Sequence, residues 1–275
     1  MRYLYAQDKL IVFRRAVAQL GLALALSSLA HTVCTAQSFD VTARIRDFRA
    51  RDTQGGHPDF QWRVTGLVQG LVRNTLDDDD KPIFVGTPGD GAITDASTFA
   101  QWYRDVPGVN LATNITLSFT YDNINQKWVY SNSAFFPIDD QLFGNQGYRH
   151  NYHFTMEIAA TIYYDSSKPN ILTFTGDDDI WVFINRRLVV DLGGVRPPQS
   201  QTINLNTLAS SLGLVSGNLY PLHIFWAERY TFGSSVQIEV TEFIPEPSSY
   251  FALTSGLACL IQIQLRRRRG RTKVH

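Results

Sequence analysis

Cysteine is scarce and poorly placed for a framework: the 275 residues hold two, Cys34 and Cys259, and both lie in the terminal segments. No disulfide can staple the central region, which must rely on its own core or on a bound metal. Clustered basic charge is also missing from the middle of the chain. The formal net charge is +0, with 25 Lys and Arg against 25 Asp and Glu, but ten of the cations (Arg2, Lys9, Arg14, Arg15, Arg266 to Arg269, Arg271 and Lys273) sit at the two ends. Residues 37–245 therefore carry 25 − 10 = 15 basic against 25 − 2 = 23 acidic side chains, a net charge of −8. Such a region excludes nucleic acid as a partner, because binding a polyphosphate needs grouped Lys and Arg, and it favours cations instead. Helical periodicity is sparse and internal repeats are absent, while 44% hydrophobic and 12% aromatic residues exclude disorder and coiled coil.

The ends read as addresses. Residues 1–36 follow the order of a secretory signal peptide: bases up to Arg15, an apolar run from Ala16 to Ala30, then small residues at Cys34, Thr35 and Ala36, with cleavage expected after Ala36. At the other end Pro245, Glu246, Pro247, Ser248 and Ser249 break any element before an apolar stretch, Tyr250 to Leu265, and four arginines. That order describes a short transmembrane helix with a cytoplasmic basic stop. Its sixteen residues reach only about 24 Å, and Gln262 and Gln264 suit lipid poorly, so a transient sorting segment fits better than a lasting anchor. The segment 245–275 resembles the PEP-CTERM signal of Gram-negative bacteria. The resemblance implies an exosortase as processing partner, with Pro245, Glu246 and Pro247 as the recognition element, transient membrane insertion, and delivery to the cell surface or extracellular matrix.

Between these ends the chain alternates apolar and polar residues. Phe39-Val41-Ala43-Ile45, Ile115-Leu117-Phe119-Tyr121, Phe154-Met156-Ile158-Ala160-Ile162, Leu172-Phe174, Trp181-Phe183 and Val236-Ile238-Val240 all read as half-buried strands. Thr94-Asp95 predicts a capped helix over Ala96 to Tyr103, and Leu205 to Leu212 a second. Residues 37–244 are thus expected to form one mainly β domain, an antiparallel β-sandwich with long loops and one or two short helices.

Leu172 to Gly194 is the most informative stretch. Two apolar strands flank Gly176-Asp177-Asp178-Asp179, and a third follows the two-residue turn Asn185-Arg186. Such a turn asks for positive φ at both central positions, which Asn tolerates and Arg does not. An isolated Asp triplet reads as a solvated turn. Here the three carboxylates are confined between apolar strands, where repulsion raises their pKa values unless a cation is present. Calcium is the cofactor expected for Asp177, Asp178 and Asp179 in an exported protein.

Phe174 to Asn185 and Leu188 to Gly194 resemble the hallmark of the fibro-slime domain family. Arg46-Asp47-Phe48, His57-Pro58-Asp59-Phe60, Phe99 to Asn110, Phe135 to Asp139, His150 to Thr155 and Ala227-Glu228-Arg229 agree with it in order. That family is similar to the domain named after anthrax protective antigen, a β-sandwich of toxins, glycosidases and flocculins. In its sugar-binding members, two consecutive aspartates joined by a cis peptide hold a calcium ion that ligates sugar hydroxyls. The resemblance places that pair on Asp177 and Asp178. Asp179 stands where those relatives often carry Gly, Arg186 where fibro-slime domains usually turn with Gly, and Arg196 where a His is common.

Other clusters compete less well. Asp77 to Asp80 lack the ligand alternation of an EF-hand and read as a solvated turn. His150, His153 and Glu157 do not form His-Glu-x-x-His, and Glu228-Arg229 reads as an internal ion pair. The expected function is a non-catalytic surface or matrix module serving adhesion and binding calcium and polysaccharide. A purely structural matrix component is the alternative. A glycoside hydrolase, with Asp139 and Glu228 as loosely placed carboxylates, is the third.

Overall fold

A computed structural model describes residues 37–242; the leader at 1–36 and the sorting segment at 245–275 lie outside the described residues. Ten strands form in chain order: β1 (Ser38–Phe48), β2 (Asn110–Asp122), β3 (Lys127–Asn132), β4 (Phe154–Tyr164), β5 (Ile171–Gly176), β6 (Asp179–Ile184), β7 (Arg187–Leu192), β8 (Gln199–Asn204), β9 (Asn218–Glu228) and β10 (Val236–Val240). They pair in the order β7-β6-β9-β4-β1-β2-β3-β10-β5-β8, antiparallel throughout. The sheet curls on itself, since Val41 of β1, Phe174 of β5, Ile224 of β9 and Ile238 of β10 share one core. At the seam the side chain of Gln201 in β8 bridges to β7, donating to the Val189 carbonyl at 3.2 Å and accepting from the Asp191 N–H at 3.2 Å. The expected mainly β, sandwich-like architecture is what forms, and each alternating segment becomes a strand.

The region 49–109, which contributes no long strand, covers the outer face of β6 and β9. Ile180, Val182 and Ile184 of β6 point into the first core. Trp181 and Phe183 point the other way, into a second core with Phe225, Phe60, Phe99, Trp102 and Tyr103. Burial on both faces is why β6 reads as a continuous apolar run. Each fully buried tryptophan there removes roughly 200 Å² from water, about 5 kcal/mol of transfer free energy before chain entropy is subtracted.

The two helices are α1 (Ala96–Phe99) and α2 (Leu205–Leu212). Asp95 caps α1 with its Oδ1 on the N–H groups of Ser97 and Thr98, as its position predicts. The helix stops at Phe99 instead of reaching Tyr103. Asn110 takes the carbonyls of Gln101 and Arg104 at 3.2 and 2.8 Å, which holds the chain in turns and lets Trp102 enter the second core.

The β6–β7 hairpin turns through Asn185 (φ 48°) and Arg186 (φ 64°). The strained Arg186 is held by an ion pair to Asp80 and a bond to the Asp77 carbonyl. Asp77 in turn accepts from the N–H groups of Asp79 and Lys81 and pairs with Arg104. The Asp77 to Asp80 segment is the turn expected from its composition, with Asp78 and Asp79 exposed, and its Asp77 and Asp80 ends also clamp the hairpin through ion pairs.

Candidate ligand-binding site

Asp177 and Asp178 are the two-residue link between β5 and β6. The chain must pass Ser235 closely here: a Cβ on Gly176 would lie 2.6 Å from the Ser235 carbonyl oxygen, so no larger residue fits. The Asp177–Asp178 peptide bond is cis. Asp177 Oδ1 accepts from the Ser235 N–H at 2.5 Å and from its hydroxyl at 3.0 Å. Asp178 accepts through Oδ1 from the Arg196 N–H at 2.9 Å and through Oδ2 from the Arg229 N–H at 3.0 Å. These backbone donors fix both carboxylates without neutralising them.

Asp177 and Asp178 line a cavity of about 320 Å³. Its walls are Val64, Val195, Arg196, Pro197 and Pro198 together with the loop carrying Tyr230, Phe232 and Gly233. Phe232 is 87% exposed, and its ring lies parallel to that of Tyr230 at 6.1 Å. Asp179 takes no part in this lining. Fully buried, it accepts from the Gly194 N–H at 2.5 Å and forms an ion pair with Arg229 Nε at 2.7 Å. Arg229 donates further to the carbonyls of Asp59, Ala92 and Gly91 and lies over the Trp102 ring at 4.6 Å.

Glu228 supplies the third negative neighbour of the cavity pair. Its Oε1 accepts from the Tyr230 N–H at 3.3 Å, while Oε2 is buried with no hydrogen-bond partner. The internal Glu228–Arg229 ion pair expected from sequence does not form, because Arg229 is committed to Asp179. Burial raises the Asp178 carboxyl to about 7, against the pull of Arg229, and burial also raises Asp177. Glu228 is raised well above its ordinary range by burial and then by the charges of Asp178 and Asp177. A divalent cation beside the pair would favour the ionised forms that burial opposes.

Two carboxylates on one cavity are oxygen donors of the kind a hard cation takes, while Glu228 is not among the residues lining it. Among the described residues no three His, Cys, Asp or Glu side chains are grouped to hold a metal. Most of the six to eight oxygens that calcium takes would thus come from carbonyls, water or a ligand.

The remaining candidates disperse. His150 pairs with Asp139 at 2.6 Å and stacks on Phe136, His153 bonds to Gln61, and Glu157 pairs with Arg46 and Lys81. Trp102, Trp181 and Trp226 are core residues, and Trp62 lies under the guanidinium groups of Arg51 and Arg63. Sequence reasoning missed Tyr230 and Phe232. The available signal was two aromatics two apart, followed by Gly233, just past the end of a strand.

A PA14 domain is found over residues 138–243. The match takes in β4 to β10 and the whole Asp177–Asp178 link. The chain is also 38% identical over 190 residues to protein psiQ of Dictyostelium discoideum, covering 64% of this chain and 19% of that protein. Over 206 residues it is 36% identical to protein psiB of the same organism, covering 67% of this chain and 36% of that one. It thus spans well under half the length of these curated relatives. Among solved structures it is similar to the PA14 domain of the MpAFP antifreeze protein, with 8% identity, 74% of this chain and 82% of that chain covered and a TM-score of 0.34. It is likewise similar to a PA14 sugar-binding domain from an RTX adhesin, with 12% identity, 66% and 91% covered and a TM-score of 0.29. Among the described residues no helix is long and apolar enough to cross a membrane.

Proposed function

We propose that the PA14 domain is a non-catalytic, calcium-dependent glycan-binding module of fibro-slime type. The observation that carries this reading is the cavity in which two adjacent carboxylates face apolar and aromatic walls. Asp177 and Asp178 are the residues that hold calcium, and the ion supplies open coordination positions for neighbouring hydroxyls of a sugar. Ser235 orients Asp177, and the N–H groups of Arg196 and Arg229 orient Asp178. Phe232 and Tyr230 offer flat rings to the apolar face of a saccharide, and Val64 with Pro197 and Pro198 keeps water from the other side. The leader and the Pro245-Glu246-Pro247 tail support a place on the Gram-negative cell surface or in the extracellular matrix after exosortase processing.

The test is calorimetric titration of the chain with calcium chloride, followed by a glycan array with and without EDTA. The expected result is calcium uptake that Asp178→Asn abolishes, and glycan signals that EDTA erases. Calcium-dependent melting with a blank array would favour the structural matrix reading. Hydrolysis of a polysaccharide panel would revive the glycosidase reading, which the engagement of Asp139 by His150 does not favour.

A further inference from the structure

We propose that Arg196 is a resident cation of this site: its charge lets the Asp177–Asp178 link fold without metal and holds the calcium affinity down. The inference rests on the calcium reading above. Arg196 lines the cavity and is only 3% exposed. Its N–H binds Asp178, and its guanidinium folds back beside the pair, with Nη1 donating to the carbonyls of Gly176 at 2.7 Å and Pro197 at 3.1 Å and Nη2 to that of Leu192 at 2.9 Å. These acceptors are neutral, unlike the carboxylate that Arg229 holds. Burial pushes the Arg196 guanidinium below its ordinary value, and the nearby charges of Asp179, Asp178 and Asp177 work against that by favouring its ionised form.

Two consequences follow for a cation entering the cavity. A buried positive charge beside the carboxylate pair opposes it, in surroundings where charges are weakly screened. Three carbonyl oxygens of the kind calcium prefers are also taken by guanidinium donors. In return, the pair keeps one cation beside it when calcium is absent. Sequence resemblance had marked position 196 as one where His is common, and a neutral His would impose neither opposition.

The experiment compares the full chain with its Arg196→Gln, Arg196→His and Arg196→Lys variants by calcium titration at pH 7.5 and by thermal melting in EDTA and in calcium chloride. The expected result is a cooperative melt of the parent in EDTA with a small upward shift in calcium. Arg196→Gln and Arg196→His should bind calcium at least tenfold more tightly, melting lower in EDTA and higher in calcium. Arg196→Lys, which keeps the charge, should stay within about threefold of the parent. If Arg196→Gln does not fold, the His and Lys variants decide the comparison. Parent uptake that depends on Asp178 while no Arg196 variant gains affinity overturns this inference alone. A gain in Arg196→Lys equal to that in Arg196→Gln also overturns it, because charge is then not the cause. No uptake by any chain overturns the calcium reading with it.

Discussion

Asp178 and Asp179 are neighbours of identical chemistry, yet they belong to opposite regimes. Asp179 faces inward, with one oxygen on the Gly194 N–H and the other on Arg229, a guanidinium that also ties down the 59–92 region. Asp178 faces the cavity, held by two backbone N–H groups with no ion pair of its own, and burial raises it to about 7. The lesson is that a run of acidic residues need not act as a unit. The β-strand start at Asp179 turns one carboxylate into a structural counter-ion and leaves the preceding two on the cavity.

The largest test of this contrast removes the inward partner. Arg229→Met strands a fully buried carboxylate, and about 3–5 kcal/mol of stability should be lost in urea unfolding. Adding Asp179→Asn should restore part of it. Removing the outward carboxylate should act differently: Asp178→Asn is expected to change stability in EDTA by no more than about 1.5 kcal/mol. It should nevertheless erase the roughly 2.7 kcal/mol that calcium at a hundred times its Kd confers on the parent. Equal losses in EDTA for the two variants would show that the two sides do not differ in kind.

Acid provides a smaller probe of the inward side. His153 donates through Nε2 to the Gln61 Oε1, the Gln61 N–H holds the Arg229 carbonyl, and the buried His153 Nδ1 faces no acceptor for the N–H that protonation would create. Burial lowers this imidazole from 6.5 to about 4. The unfolded chain therefore takes up a proton below about 6.5 while the folded chain does not. The stability contributed by a neutral His153 is present at pH 7 and lost as the pH falls towards 4. His153→Gln should flatten the stability difference between pH 7 and pH 4.5 by about 2 kcal/mol, read by urea melts at both values. Smallest of all, Arg186→Gly relieves a positive φ but gives up the Asp80 ion pair, so its melting point should move by the equivalent of less than about 1 kcal/mol. A larger loss would make the Asp77 to Asp80 clamp more important than its exposure suggests.

Strand positions were legible because alternation reports burial directly, and Asp177 and Asp178 were legible through the motif around them. The split of Asp179 from the pair was hidden, since it depends on Arg229, fifty residues away. The same long-range choice disguised Glu228 as the partner of its neighbour. The second core was also out of reach: Phe60 and Trp102 sit in irregular segments, and Phe99 ends a single helical turn too short to show which core it faces. Phe232 escaped notice for the opposite reason, being a large aromatic left in water by a loop whose neighbours are distant in sequence.

The seam of the sheet bears on what the cavity can admit. The connection from β7 to β8 carries Val195, Arg196, Pro197 and Pro198, and the two strands it joins are bridged by the amide of Gln201. The connection itself is fastened elsewhere as well: the Val195 carbonyl accepts from the N–H groups of Thr65 and Gly66, and Arg196 donates to Asp178, Gly176 and Leu192. The proline wall is thus moored both to the 65–66 segment and to the acidic link, so the width of the mouth is set by strands and loops more than a hundred residues apart in the chain.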